Sequence, residues 1–221
     1  QSMGREYPKA CRIASEIMQP IMRGVRGLNV CRLAADDCGL HYKFIYECME
    51  TYMVDLVIPM LSREQPAIIP ALGLLRVVRY KQTNCYSFAL GEVVRLPARK
   101  RVVFKTSKLA FDLINSIDGR KNRYKKFIHL SDIEYIAVKI KSSVYSVYCA
   151  LRAWMDAAIL FVKEFGRVHL PAFGLLRMGE LNDAKWARDI HNGRNIVMPE
   201  CYRLKIIMRK EVDLLIKNKL N

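Results

Sequence analysis

The sequence predicts a mainly α-helical fold made of two tandem, structurally similar units. A heptad occurs twice, at residues 70–76 and 171–177, and the two copies differ only at their third position. A long apolar segment with helical spacing precedes each copy, at residues 41–62 and 143–165. Because repetition at a fixed offset is typical of duplicated units, we expect two helical units of about a hundred residues each.

Turn-forming residues predict where one unit ends and the next begins. Asp118-Gly119-Arg120-Lys121-Asn122 is a turn by composition. We therefore expect a first unit at residues 4–118 and a second at residues 119–221. Gln1-Ser2-Met3 is typical of the remnant of an expression tag and is left out of the fold prediction.

In the first unit, apolar spacing and capping residues predict a series of helices. Gly39 is suited to end a helix, and Pro70 is suited to the first turn of one. The helices are expected at residues 8–25, divided by Pro20, at 29–37, at 41–62, from Pro70 to about Lys81, and from Thr106 or Ser107 to about Ser116. Two β-branched runs around a basic turn predict a small β-hairpin near residues 93–104.

The second unit is predicted to repeat this pattern. Ser143 is placed to cap the long apolar helix and Gly166 to end it. The helices are expected at residues 131–140 and 143–165, from Pro171 onward, at 182–191, and from Pro199 to about Lys219.

The charge balance indicates a polyanionic partner. The chain has 37 basic and 21 acidic residues, a net charge of +16, yet 52% of its residues are apolar. A folded protein with such a field attracts nucleic acid, and we expect DNA rather than RNA. No apolar run reaches membrane-spanning length, because Asp156 interrupts the most hydrophobic one. Seven cysteines without a CxxC pair predict reduced, largely buried thiols and an intracellular, nuclear location.

Residues 95–126 form the main candidate site, because this segment contains eleven basic residues and only two acidic ones. Such density favours phosphate contacts, with Tyr124 and Phe127 available for stacking. A solvated basic linker and a patch for an acidic protein are the alternatives. The basic residues are Arg95, Arg99, Lys100, Arg101, Lys105, Lys108, Arg120, Lys121, Arg123, Lys125 and Lys126.

A second basic cluster lies near the C-terminus. Arg194 precedes the helix predicted from Pro199, whose first backbone N–H groups could help to hold a phosphate. The cluster also contains Arg188, Arg203, Lys205, Arg209 and Lys210. Of these residues we include Arg194, Arg203 and Arg209 in the candidate nucleic-acid site.

Catalytic and metal chemistry have weaker sequence support. Cys31, Cys38, His41 and Cys48 have suitable atoms for zinc but lack its usual spacing, so buried cysteines are favoured. The acidic residues of a metal-dependent nuclease could come from the group Asp36, Asp37, Glu47 and Glu50.

The sequence therefore predicts a non-catalytic nucleic-acid-binding protein without cofactor or metal. The alternative is a protein–protein interaction module of a larger nuclear or viral assembly, with a protein partner or a homodimer. A nuclease is a third hypothesis.

Overall fold

Helices and antiparallel strands both build the protein in the computed structural model, which describes residues 28–115, 128–182, 185–188, 195–198 and 200–220. The prediction of a mainly α-helical fold with tandem helical units is therefore wrong, since each half of the chain combines helices with strands.

The first half contains a helical segment, five strands and a short closing helix. The elements are α1 (Leu28–Cys38), α2 (Tyr42–Thr51), a π-helical segment (Tyr52–Val57), α3 (Ile58–Ser62), β1 (Ala67–Ile69), β2 (Gly73–Tyr80), β3 (Thr83–Ser87), β4 (Glu92–Leu96), β5 (Arg99–Thr106) and α4 (Lys108–Ile114).

The second half follows the same order among its described residues. The elements are α5 (Leu130–Lys139), α6 (Val144–Phe165), β6 (Arg167–Leu170), β7 (Gly174–Met178), β8 (Lys185–Arg188), β9 (Asn195–Met198), β10 (Leu204–Met208) and α7 (Lys210–Leu220).

The strands form two three-stranded sheets and two two-stranded ribbons, all antiparallel. Sheet one has the order β1-β2-β5, and sheet two has the order β6-β7-β10. Ribbon one pairs β3 with β4, and ribbon two pairs β8 with β9. In the sequence, each ribbon lies between the second and third strands of its sheet.

Several predicted helix ends are confirmed because local chemistry determines them. The Ser107 hydroxyl accepts a hydrogen bond from Ala110 N–H at the start of α4, and Ser143 caps α6 in the same way. Gly166 ends α6 in the left-handed conformation, with φ 66°. The predicted helix at 41–62 is also present, although its middle turn is π-helical.

The repeated heptad does not begin a helix, contrary to the prediction. Each copy forms a tight turn followed by the start of a strand, β2 in one half and β7 in the other. Ala71 and Ala172 lie in the left-handed region within these turns, with φ 59° and 53°. Proline suits such a turn as well as it suits a helix start, which explains the wrong prediction.

Three further predictions need correction. Residues 93–104 contain parts of two strands that do not pair with each other, because β4 pairs with β3 and β5 with β2. The helix predicted at 182–191 is replaced by strand β8, and the one predicted from Pro199 by β10 and the later helix α7. The helix at 8–25 and the boundary at 118/119 lie outside the described residues.

Helices of both halves build one core. Helix α6 packs against α1 and α2 from the first half and against α5 from its own. Trp154 at the centre of α6 is fully buried, and so is Phe173 in the turn formed by the second copy of the heptad. Among the described helices, α6 is the one long and apolar enough to cross a membrane by composition, but 56% of that window is buried inside the protein. Its apolar surface is consistent with a core helix.

Candidate nucleic-acid interface

Sheet one has a core-facing side and a basic outer face. Leu75 is fully buried, and Phe104 opposite it also packs on the core. Because successive residues of a strand alternate between faces, the neighbouring residues point the other way. This outer face of sheet one carries four exposed cations, namely Arg76, Arg99, Arg101 and Lys105.

Sheet two has a row of three cations across its outer face. Arg167 on β6 lies opposite Arg177 on β7, and Arg177 lies opposite Lys205 on β10. All three are exposed, while Leu176 next to Arg177 is buried on the core side. Like charges directly opposite each other destabilise a sheet, so this row is unfavourable unless an anion lies against it.

The two sheets adjoin along β5 and β10. The Leu204 N–H donates a hydrogen bond of 3.3 Å to the Thr106 hydroxyl oxygen, which links the two strands. Arg76 and Lys105 from sheet one line a cavity together with Arg203, the residue before β10. Cations from both halves of the chain therefore lie around this junction. The six strands of the two sheets contain no acidic residue.

Two cations of sheet one lie on the opposite face and share one carboxylate as ion-pair partner. Glu64 forms ion pairs with Arg79 at 2.7 Å and with Lys100 at 3.0 Å. The Lys100 ammonium and the Arg79 guanidinium donate hydrogen bonds that hold the pKa of the Glu64 carboxyl below its usual range. Lys100 is thus separated from the outer-face cations Arg99 and Arg101, although it lies between them in sequence.

Ribbon one presents apolar side chains to solvent at its tip. Phe88 is 93% exposed, and its ring meets that of Tyr86 edge-on with 5.4 Å between centroids. Leu90 and Val93 are also mostly exposed. A local group of exposed apolar side chains is typical of a contact surface.

The structure separates the predicted site residues into distinct positions. Arg95 is exposed on ribbon one, Lys108 is the first residue of α4, and Arg209 lies between β10 and α7. The remaining candidates in the described chain, Arg99, Lys100, Arg101, Lys105 and Arg203, lie on β5 or just before β10. Arg120, Lys121, Arg123, Lys125, Lys126 and Arg194 lie outside the described residues, as do Tyr124 and Phe127.

Four outer-face cations were not among the predicted site residues, although one of them, Lys205, was noted in the second basic cluster. They are Arg76, Arg167, Arg177 and Lys205. Arg76 and Arg177 are the final residues of the two repeated heptads, so the repetition of a cation at that place was a usable signal. Lys205 belonged to the second basic cluster, whereas Arg167 had no signal in the sequence, because only the pairing of strands brings it beside Arg177.

The zinc and nuclease hypotheses gain no geometric support. Among the described residues, no group of three or more His, Cys, Asp or Glu side chains is arranged to hold a metal ion. Cys31, Cys48 and Cys201 are buried, whereas Cys85 on β3 is exposed, contrary to the prediction of largely buried thiols for that residue. Burial raises the pKa of both the Cys31 and the Cys48 thiol to about 12.

No protein-family model matches the sequence, and comparison with curated proteins finds no similar sequence.

Proposed function

We propose that this protein is a non-catalytic DNA-binding protein whose two sheets contact backbone phosphates with their outer faces. The row of Arg167, Arg177 and Lys205 is the observation that carries the proposal. These cations repel one another, and the described residues provide no carboxylate partner for them. A line of phosphates would offset that repulsion and release counterions.

The two ribbons favour duplex DNA over RNA. The major groove of B-form DNA, about 12 Å wide, admits a two-stranded β-ribbon, whereas the major groove of A-form RNA is deep and narrow. Each sheet in this protein carries one ribbon, so a duplex lying on the outer faces could meet both.

The tip of ribbon one supports the proposal independently of charge. Burying a phenylalanine as exposed as Phe88 in an interface contributes favourably to the free energy of binding. In a bent duplex, apolar side chains can insert between base steps. We expect Phe88→Ala to weaken duplex binding while leaving its salt dependence unchanged, because an apolar contact releases no counterions.

The charge contacts can be tested by duplex binding at a series of salt concentrations. The first variant replaces Arg167, Arg177 and Lys205 with Gln, and the second replaces Arg99, Arg101 and Lys105 in the same way. Each lost phosphate contact should lower the slope of log K against log salt by about 0.9, so each variant should lose about 2.7 from the slope. The loss should be similar for unrelated duplex sequences, since phosphates carry no sequence information.

A variant with the same change in net charge provides the control. Lys43, Arg63 and Lys141 are exposed cations outside the strands of both sheets, and replacing them with Gln should leave the slope nearly unchanged. The proposal fails if the unmodified protein shows no salt-dependent affinity for duplex DNA. It also fails if the control variant loses as much affinity as the two sheet variants, because net charge alone would then explain binding.

A further inference from the structure

An open cavity of about 520 Å³ lies where the two halves of the chain meet. We call it the junction cavity. Strands β2 and β5, the start and middle of α4, and the residues at the start of β10 contribute to its walls. The cavity therefore lies between the outer-face cations Arg76 and Lys105 of sheet one and Arg203 of the second half.

Four cations line the junction cavity, namely Arg76, Lys105, Lys108 and Arg203. None of its lining residues is acidic, and none of these four side chains has an ion pair with a carboxylate among the described residues. Four like charges around one cavity repel one another, so an anion with more than one charge would be held there most strongly. A phosphodiester carries a single charge, whereas a phosphomonoester carries about −1.5 to −2 at pH 7.

The remaining walls suit the organic part of such a ligand. Phe111 lines the cavity with Val103 and Leu204, which gives apolar and aromatic surface beside the cations, whereas the Phe104 ring lies against Gly73 on the core-facing side. Aromatic side chains stack on nucleobases and pack against sugars. The Thr106 hydroxyl oxygen accepts the Leu204 N–H, so its own proton can still be donated to a phosphate oxygen.

The second half of the chain lacks an equivalent set of residues. Gly73 pairs with Thr106 in sheet one and Gly174 pairs with Met208 in sheet two, which aligns the two halves. In that alignment Ile207 takes the place of Lys105, and Asp213 takes the place of Phe111. Lys205 takes the place of Val103, so the number of cations is kept, but the carboxylate of Asp213 stands where the junction cavity has the Phe111 ring.

We propose that the junction cavity binds one phosphomonoester of nucleotide size, with its phosphate held by the four cations and its nucleoside against Phe111. This chemistry is found both at a 5′-phosphorylated strand end and on a free mononucleotide. The site goes beyond the proposed DNA contacts, which need only phosphodiesters lying along the outer faces.

Calorimetric titration of the whole protein with deoxyadenosine monophosphate provides the first test. We expect one binding site per chain, and binding of deoxyadenosine weaker by at least about tenfold, a difference of 1.4 kcal/mol. The cavity variant Lys105→Gln with Arg203→Gln should lose about tenfold or more in nucleotide affinity. The control, Arg167→Gln with Arg177→Gln, removes the same charge outside the cavity and should keep nucleotide affinity within about threefold.

Two duplexes of one sequence, with and without 5′-phosphates, identify the source of the ligand. Tighter binding of the phosphorylated duplex, lost in the cavity variant, assigns the site to strand ends. Equal binding of the two duplexes together with nucleotide binding assigns it to a free nucleotide. The inference is overturned if the nucleotide does not bind at millimolar concentration, or if the control variant loses as much nucleotide affinity as the cavity variant. Nucleotide binding without any duplex binding would refute the proposed DNA function and leave this site intact.

Discussion

Replacing Gly73 or Gly174 with alanine tests the close approach of strands on which both sheets depend. A Cβ atom added at Gly73 would come within 3.0 Å of the Lys105 carbonyl oxygen and of the Phe104 ring. At Gly174 the obstructing atoms are all backbone atoms of Ile207 and Met208. A flexible side chain could turn away, but a paired strand must shift as a whole.

The expected size of the effect follows from two opposing terms. Alanine reduces the conformational entropy of the unfolded chain relative to glycine. It would stabilise the protein by about 0.4–1 kcal/mol if its Cβ fitted between the strands without strain. Forcing extra volume into a packed site costs about 1–3 kcal/mol. We therefore expect each substitution to lower the free energy of unfolding by about 1–2 kcal/mol, and the Tm by about 2–4 °C for each kcal/mol.

Gly179→Ala provides a matched control. The nearest atom to its added Cβ is the Cε of Lys205, which belongs to a flexible and exposed side chain that can move. The nearest backbone atom, the Arg203 carbonyl oxygen, is at 3.1 Å, compared with 2.3 Å at Gly73 and 2.2 Å at Gly174. We expect a change within about 1 kcal/mol for this variant. Urea denaturation followed by circular dichroism measures all three variants. The described strand spacing is refuted if Gly73→Ala and Gly174→Ala are as stable as the parent, or if Gly179→Ala is equally harmful.

Two other predictions concern titratable groups. Because the folded-state pKa of Glu64 is lowered by Lys100 and Arg79, its contribution to stability is present above the unfolded-state pKa and is lost as the pH falls through the folded-state pKa. Glu64→Gln should reduce the loss of stability as the pH falls below the usual pKa of a glutamate, and an unchanged pH profile in urea denaturation would contradict this ion-pair assignment. Cys85 should react with a thiol reagent in the native protein, whereas Cys31 and Cys48 should react only on unfolding. Peptide mass spectrometry of the labelled protein would show the opposite order if the described burial were wrong.

Local chemistry was enough to predict many helix ends but not the strands of the repeat. The caps at Ser107 and Ser143 depend on neighbouring residues only, so the sequence identifies them. The heptad combines proline with consecutive leucines, such as Leu74 and Leu75, which favour helices by intrinsic propensity. Its strand conformation comes from pairing with distant strands, and this tertiary contribution overrides the local preference.

The candidate site was predicted in part for a similar reason. High charge density along the chain drew attention to the segment containing β5, and the structure places Arg99, Arg101 and Lys105 of that segment on one face of sheet one. The row on sheet two brings together residues as far apart as Arg167 and Lys205, and it depends on strand register. Register is set by turns and by burial of one face, neither of which the charge pattern reveals.

Because the two halves share one core, the stability of each depends on the other. Their surfaces, however, can differ in sequence. Helix α6 packs against α1 and α2, so both halves are held together at any protein concentration without an association step. In an assembly of identical subunits, one changed codon alters every copy of a surface position. Here Lys105 and Ile207 occupy matching places but are encoded separately. One half can therefore acquire a binding site while the other keeps a different surface, and a single gene maintains the two in fixed proportion.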